Sequence, residues 1–200
     1  MIVAKTHNVF YGNSCKKRYE MFTVVRRPDA GSPPGSDEVS VNVTYRGVSV
    51  AKAQALFSRA GQEAQYNPGP AIYTNAAQFG AHYVAGQLLK QKAGSAAYSP
   101  PTASVLTLMQ IEVAPGFRRD GIATAIMDYL IHALKPEHMA AVVLPCYTPR
   151  VNEYVTNPAA TDAAQVAKWL RAYGLEACGN VMVPTGGAAP VSVGAFGKKF

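Results

Sequence analysis

The sequence predicts an α/β fold, a mixed central sheet flanked by helices, on three observations. The run Val105–Val113, VLTLMQIEV, is too apolar for a half-exposed strand and is expected to be buried on both faces. Pro115 and Gly116 break it, and from Ile122 the residues Ile122, Ile126, Leu130 and Leu134, beside Ala123, Met127 and Ile131, recur at helical spacing. A second apolar run, Ala140–Leu144, follows the helix-ending Lys135-Pro136-Glu137, and strand, helix and strand in that order make a parallel crossover.

The remaining elements follow from local pattern. Two short strands, Ile2–Ala4 and Tyr19–Val25, are separated by the turn-like Tyr11-Gly12-Asn13-Ser14, and PDAGSPPGSD from Pro28 to Asp37 is a loop. Val39, Val41, Val43 and Tyr45 alternate with polar residues, the period of a strand with one wet face, and Arg46-Gly47 turns the chain. Ser49 is placed to cap a helix from Val50 to about Gln62, with Ala51, Ala55, Leu56 and Ala60 inward. Thr74 is placed to cap another to about Lys92, between loops at Tyr66–Pro70 and Ser95–Thr102. Residues 145–161 form a long irregular segment, which in a compact domain is more often functional than idle. Thr161 or Asp162 begins a helix that Gly174 stops, and Leu175–Val183 and Pro190–Phe196 read as a closing hairpin around Thr185-Gly186-Gly187.

Composition sets limits. The 200 residues, 48% apolar, suffice for one full-sized core. Lys+Arg of 19 against Asp+Glu of 12 gives a net charge of +7, which suits an anionic partner, a phosphorylated small molecule as well as nucleic acid. The cations come in small clusters without interleaved aromatics, which favours a solvated surface over a nucleic-acid groove. Three cysteines without close spacing point to a reduced, cytoplasmic protein, and no membrane-spanning stretch or signal core is visible. The histidines and cysteines show no metal spacing, so no metal is expected. Gly116 and Gly121 have Walker spacing, but Ile122-Ala123 stand where Lys and Ser/Thr are required.

The join between the central strand and its helix aims unpaired backbone N–H groups and the positive end of a helix dipole at one point, a seat for phosphate. There the segment Arg118-Arg119-Asp120-Gly121-Ile122-Ala123, preceded by Val113-Ala114-Pro115, resembles the signature of the GNAT superfamily of acyl-CoA-dependent N-acetyltransferases. The resemblance covers about residues 103–198. It implies one GNAT-like domain over 1–200, with 103–200 the acyl-CoA-binding half and 1–102 a divergent acceptor-side half. It further implies acetyl-CoA as cosubstrate, held by Ile111, Val113, Arg118, Arg119, Asp120, Gly121, Ile122, Ala123 and Thr124. The implied acceptor is a primary amine on a small molecule, a protein or a modified nucleic acid, and a homodimer stays open.

In such chemistry a backbone N–H near Val113 stabilises the developing oxyanion. The amine needs a base, for which Glu112 at the strand end is the candidate, with Glu20 and Glu153 as alternatives. At Glu112 a second reading stays open, a carboxylate that reaches solvent or pairs with an Arg. The family's usual acid, a Tyr four residues before a Gly-Phe pair, is replaced here: the pair is Gly174-Leu175 and the residue four back is Leu170. Tyr173, Tyr147 and Tyr154 are the substitutes, with Tyr173 preferred. Two other classes remain: a CoA-binding module of the same fold without chemistry, and a basic nucleic-acid-binding protein.

Overall fold

The computed structural model describes residues 1–27, 37–59, 104–143, 160–185 and 188–199. Its strands are β1 (Ile2–Tyr11), β2 (Arg18–Arg26), β3 (Asp37–Tyr45), β4 (Val48–Ser58), β5 (Val105–Val113), β6 (His138–Val143), β7 (Glu176–Thr185) and β8 (Ala188–Lys199). Helix α1 (Ile122–Leu134) lies between β5 and β6, and α2 (Ala160–Ala172) between β6 and β7. The strands form one sheet in the order β1-β2-β3-β4-β5-β6-β8-β7, in which only the β5–β6 pair is parallel. The mixed sheet, the strand–helix–strand unit and the closing hairpin are as the sequence predicts.

One element reverses its expected type. Residues 48–58 are a strand, where a helix from Val50 to about Gln62 is expected from Ala, Lys, Gln and Leu. Ala51, Ala53, Ala55 and Phe57 are buried while Lys52 and Gln54 are exposed, which is period two. The alanines are there because α1 packs across β4 and β5, and small side chains beneath a helix let it approach closely. Tertiary packing overrides their helical propensity. Ser49 therefore caps no helix; it lies opposite Thr44 in the ladder. The expected helix at Thr74–Lys92, its flanking loops and most of 145–161 lie outside the described residues.

Two bulges shape the middle of the sheet. Val43 faces Ala51 and Thr44 faces Ser49, which leaves Val50 as an extra residue in β4. Gln54 faces Gln110 and Ala55 faces Leu108, which leaves Met109 extra in β5. The β5–β6 ladder runs only from Val105 opposite His138 to Leu108 opposite Ala141, while β6 stays paired with β8 as far as Val143. The two strands therefore part at the residue before the β5 bulge.

Helix α1 buries Ile122, Ile126, Met127 and Leu130, the face the sequence periodicity marks. Helix α2 ends in a Schellman clasp: Leu175 N–H donates to Leu170 O and Gly174 N–H to Arg171 O, with Gly174 at φ 97°. Leu170 and Leu175, the positions whose apolar contact accompanies that clasp, are 1% and 2% exposed. Arg46 and Gly47 both have positive φ, 51° and 78°, the pattern of a two-residue turn that matches strand twist, and they join β3 to β4.

Where β2, β3 and β4 end together, the buried Asp37 accepts from Arg27 Nε at 3.3 Å and Arg59 Nη2 at 2.7 Å. Removing that charge strands two half-exposed cations beside a pocket built for a carboxylate. Asp37→Asn is expected to lower stability by about 1–2 kcal/mol in urea unfolding. No measurable change would show that the two arginines are adequately solvated without it.

Candidate functional site

Beyond Leu108, β5 has an edge that β6 no longer covers. Ala114 N–H donates to Val50 O at 2.9 Å, towards β4. Backbone groups of successive strand residues point to opposite sides, so the N–H and C=O of Val113, and of Ile111 two residues earlier, point to the side β6 has left. The Ile111 and Val113 side chains are half-buried and pack on the core. Glu112 lies between them on the opposite face of the sheet, with its backbone opposite Lys52 and its side chain half-buried.

The chain then makes a single 3-10 turn, Pro115–Phe117, and reaches α1 through Arg118–Gly121. The Arg118 side chain does not reach outward for an anion; its Nε donates to Val113 O at 3.1 Å and straps the turn to the end of β5. Gly121 is the N-cap of α1 at φ 80°, no side chain caps the helix, and its first turn holds no acid. Among the described residues no group accepts from the N–H groups of Gly121, Ile122, Ala123 or Thr124. Those donors and the positive end of the helix dipole are available to a negative group. Thr124 uses its hydroxyl elsewhere, accepting from Trp169 Nε1 at 3.3 Å.

The loop is held from behind by the β1–β2 turn. Asp120, whose side chain is 11% exposed, accepts from Tyr19 Oη at 2.5 Å and lies 3.7 Å from Lys17 Nζ. The backbone N–H groups of Ser14 and Asn13 lie towards its carboxylate and also favour the charged form. The Tyr19 hydroxyl above all, against the cost of burial, holds the Asp120 carboxyl below the usual aspartate range. Burial, and then Asp120 itself, push the Tyr19 phenol well above its ordinary value, so it stays a donor. A Cβ at Gly12 would sit 2.5 Å from the Asp120 carboxyl group, so the turn needs glycine there. Tyr19, Phe10, Tyr45 and Phe117 cluster beneath the loop at centroid separations of 5.3–6.4 Å, with Phe10 stacked on Tyr19 and Phe117 edge-on to it. Lys16, Arg18, Glu20, Tyr45 and Arg46 line an open cavity of about 280 Å³ at the same end of the sheet.

The structure thus gathers Ile111, Val113 and Arg118 to Thr124 in one region, with Arg119 and Asp120 facing the N-terminal turn. Tyr173 is not gathered with them. Its hydroxyl donates to Asp128 Oδ1 at 2.5 Å, on the flank of α1, and burial followed by that carboxylate raises its pKa well above the phenol range. With Trp169 on Thr124, it forms the second of two rungs that tie α2 to α1. Leu170 is committed to the clasp at the end of α2. Glu153, Tyr147 and Tyr154 lie outside the described residues. Glu20 is on the far face of β2, paired with Arg18 at 3.3 Å and His7 at 3.6 Å. Among the described residues no three His, Cys, Asp or Glu gather as metal ligands, and no helix is long and apolar enough to cross a membrane. Asn13, Lys17 and Tyr19 were not foreseen as neighbours of the loop. A Gly-Asn turn marks a hairpin, but nothing in its residues says which distant loop it touches.

The family model described as acetyltransferase (GNAT) family matches residues 49–154, more than half of the chain. No curated protein sequence matches the chain. Among solved structures, the apo form of a mutant agmatine N-acetyltransferase has a TM-score of 0.49 at 12% identity, over 80% of this chain and 74% of that one. Drosophila melanogaster polyamine N-acetyltransferase has a TM-score of 0.48 at 10% identity, with the same 80% and 74% coverage. Arabidopsis thaliana NAA60 in complex with acetyl-CoA has a TM-score of 0.46 at 11% identity, over 82% and 77%.

The lowered Asp120 pKa gives the loop a pH signature. The contribution of Asp120 to stability is complete above the ordinary aspartate pKa of about 3.9 and is lost as pH falls through its lower folded-state value. The stability gap between wild type and Asp120→Asn, read by urea unfolding, is therefore expected to be full at pH 6–7 and to close with acidification. A gap independent of pH would remove the charge from the explanation.

Proposed function

The chain belongs to the acetyltransferase (GNAT) family, and from that premise we propose that it transfers acetyl from acetyl-CoA to a primary amine by direct attack. The observation that carries the reading is the α1 N-terminus, free of a side-chain cap, joined by one short loop to the edge of β5 that β6 leaves. The residues present fit such a donor. The amides of Asp120 to Thr124 would hold its diphosphate, and the edge groups of Ile111 would pair with the amides of its extended arm, as an added strand would. When bound, acetyl-CoA supplies a thioester carbonyl activated for attack.

The chain's own groups do the rest. The Val113 N–H, fixed by β5 and pointing into the opening, is a preset donor for a carbonyl oxygen that gains negative charge. Glu112, between the two edge residues and on one face of the sheet, takes the proton of the attacking amine. Tyr173, preferred from sequence as the acid, is held on Asp128 and has a raised pKa, so in this reading it positions α2. A thiol of ordinary pKa near 8.5 departs as the thiolate without it.

A second reading is favoured by one observation: Leu170, at the family's usual acid position, is 1% exposed. It is a CoA-binding module of the same fold without catalysis. Release of free thiol from acetyl-CoA in the presence of a panel of amines separates the two.

Calorimetric titration with acetyl-CoA is expected to show saturable binding, and its absence would sink both readings. Ala123→Glu puts a carboxylate in the first turn of α1, where it favours the helix but repels phosphate. It is expected to weaken acetyl-CoA binding about tenfold or more with an unchanged Tm. Glu112→Gln is expected to lower turnover about 100-fold with little change in acetyl-CoA affinity; an unaltered pH–rate profile would remove Glu112 as base.

A further inference from the structure

We infer that Asn13, in the turn between β1 and β2, is a positioning residue that sets the direction of the first two amides of the diphosphate seat taken above, those of Asp120 and Gly121. The inference rests on that assignment. Asn13 donates twice to the loop: its backbone N–H to Asp120 O at 3.1 Å and its Nδ2 to Arg119 O at 3.1 Å. In a planar trans peptide the carbonyl and the following N–H point in opposite directions. Holding the carbonyls of Arg119 and Asp120 towards the turn therefore directs the N–H groups of Asp120 and Gly121 away from it.

The backbone of the loop needs such a hold. Arg119 is in the left-handed region at φ 67°, where a side chain is accommodated only at a cost, and Gly121 follows at φ 80°. A Cβ at Gly121 would overlap Oδ1 of Asn13, so the side-chain amide lies directly against the N-cap. The Asp120 carboxylate, bonded to Tyr19 and 3.7 Å from Lys17 Nζ, keeps the turn in place for Asn13 to act.

The test measures Kd by calorimetry for acetyl-CoA and for S-acetylpantetheine, which carries the thioester but no diphosphate. The proteins are the full chain and its Asn13→Ala and Asn13→Leu variants. Both variants remove the Nδ2 donor, and Leu keeps the volume. Each is expected to weaken acetyl-CoA binding about tenfold while S-acetylpantetheine stays within about twofold of wild type. Unchanged acetyl-CoA affinity overturns the inference, as does equal loss of both donors or failure of both variants to fold, since Asn13 would then be only structural. A wild type that binds S-acetylpantetheine as tightly as acetyl-CoA instead overturns the diphosphate seat itself.

Discussion

Among the described residues, strand β5 is paired along its whole length on one edge and only over its first four residues on the other. That asymmetry is the constraint on which the site depends. An uncovered strand edge inside a sheet leaves polar groups that must find partners, and a protein keeps such an edge where something else is meant to pair with it. The extra residue at Met109 bends β5 just after its last partner in β6, while β8 holds β6 on its own course. Each strand is satisfied on the side away from the opening, so the gap costs neither its fold.

The same end of the sheet shows how a carboxylate can stand in a loop assigned to phosphate. Asp120 would repel an anion if its charge faced α1. It is turned the other way, towards Tyr19 and Lys17. Its charge is spent on the N-terminal hairpin, and the helix end keeps its positive dipole. The half of the chain expected to serve the acceptor thus also builds the wall behind the β5–α1 loop.

The central strand, helix α1 and the closing hairpin were legible because their signals are local: a continuous apolar run, a 3.6-residue period, Gly and Pro at the joins. The candidate residues proposed on them come from the same local signals. Strand β4 was not, although its alternation is plain once seen: alanine is the best helix former, and only the helix above it explains three alanines on the inner face of a strand. The bond that holds Tyr173 is not legible, because its partner, Asp128, stands 45 positions away in sequence. Asn13 went unseen for the same reason at greater range. Sequence pattern shows which face of an element is apolar, and it is silent on which side chains meet across the sheet.

The distance between Asn13 and Arg119, 106 positions along the chain, has a consequence for assembly. A contact between segments so far apart must meet its loop-closure entropy before it returns any stabilisation. The β5–α1 segment can collapse early on its own local contacts, but Arg119 and Gly121 settle into their left-handed geometry only when the first hairpin docks. During refolding, hydrophobic burial should therefore precede the final geometry of the Arg119–Gly121 loop, with docking of the amino-terminal strands as the late step between them.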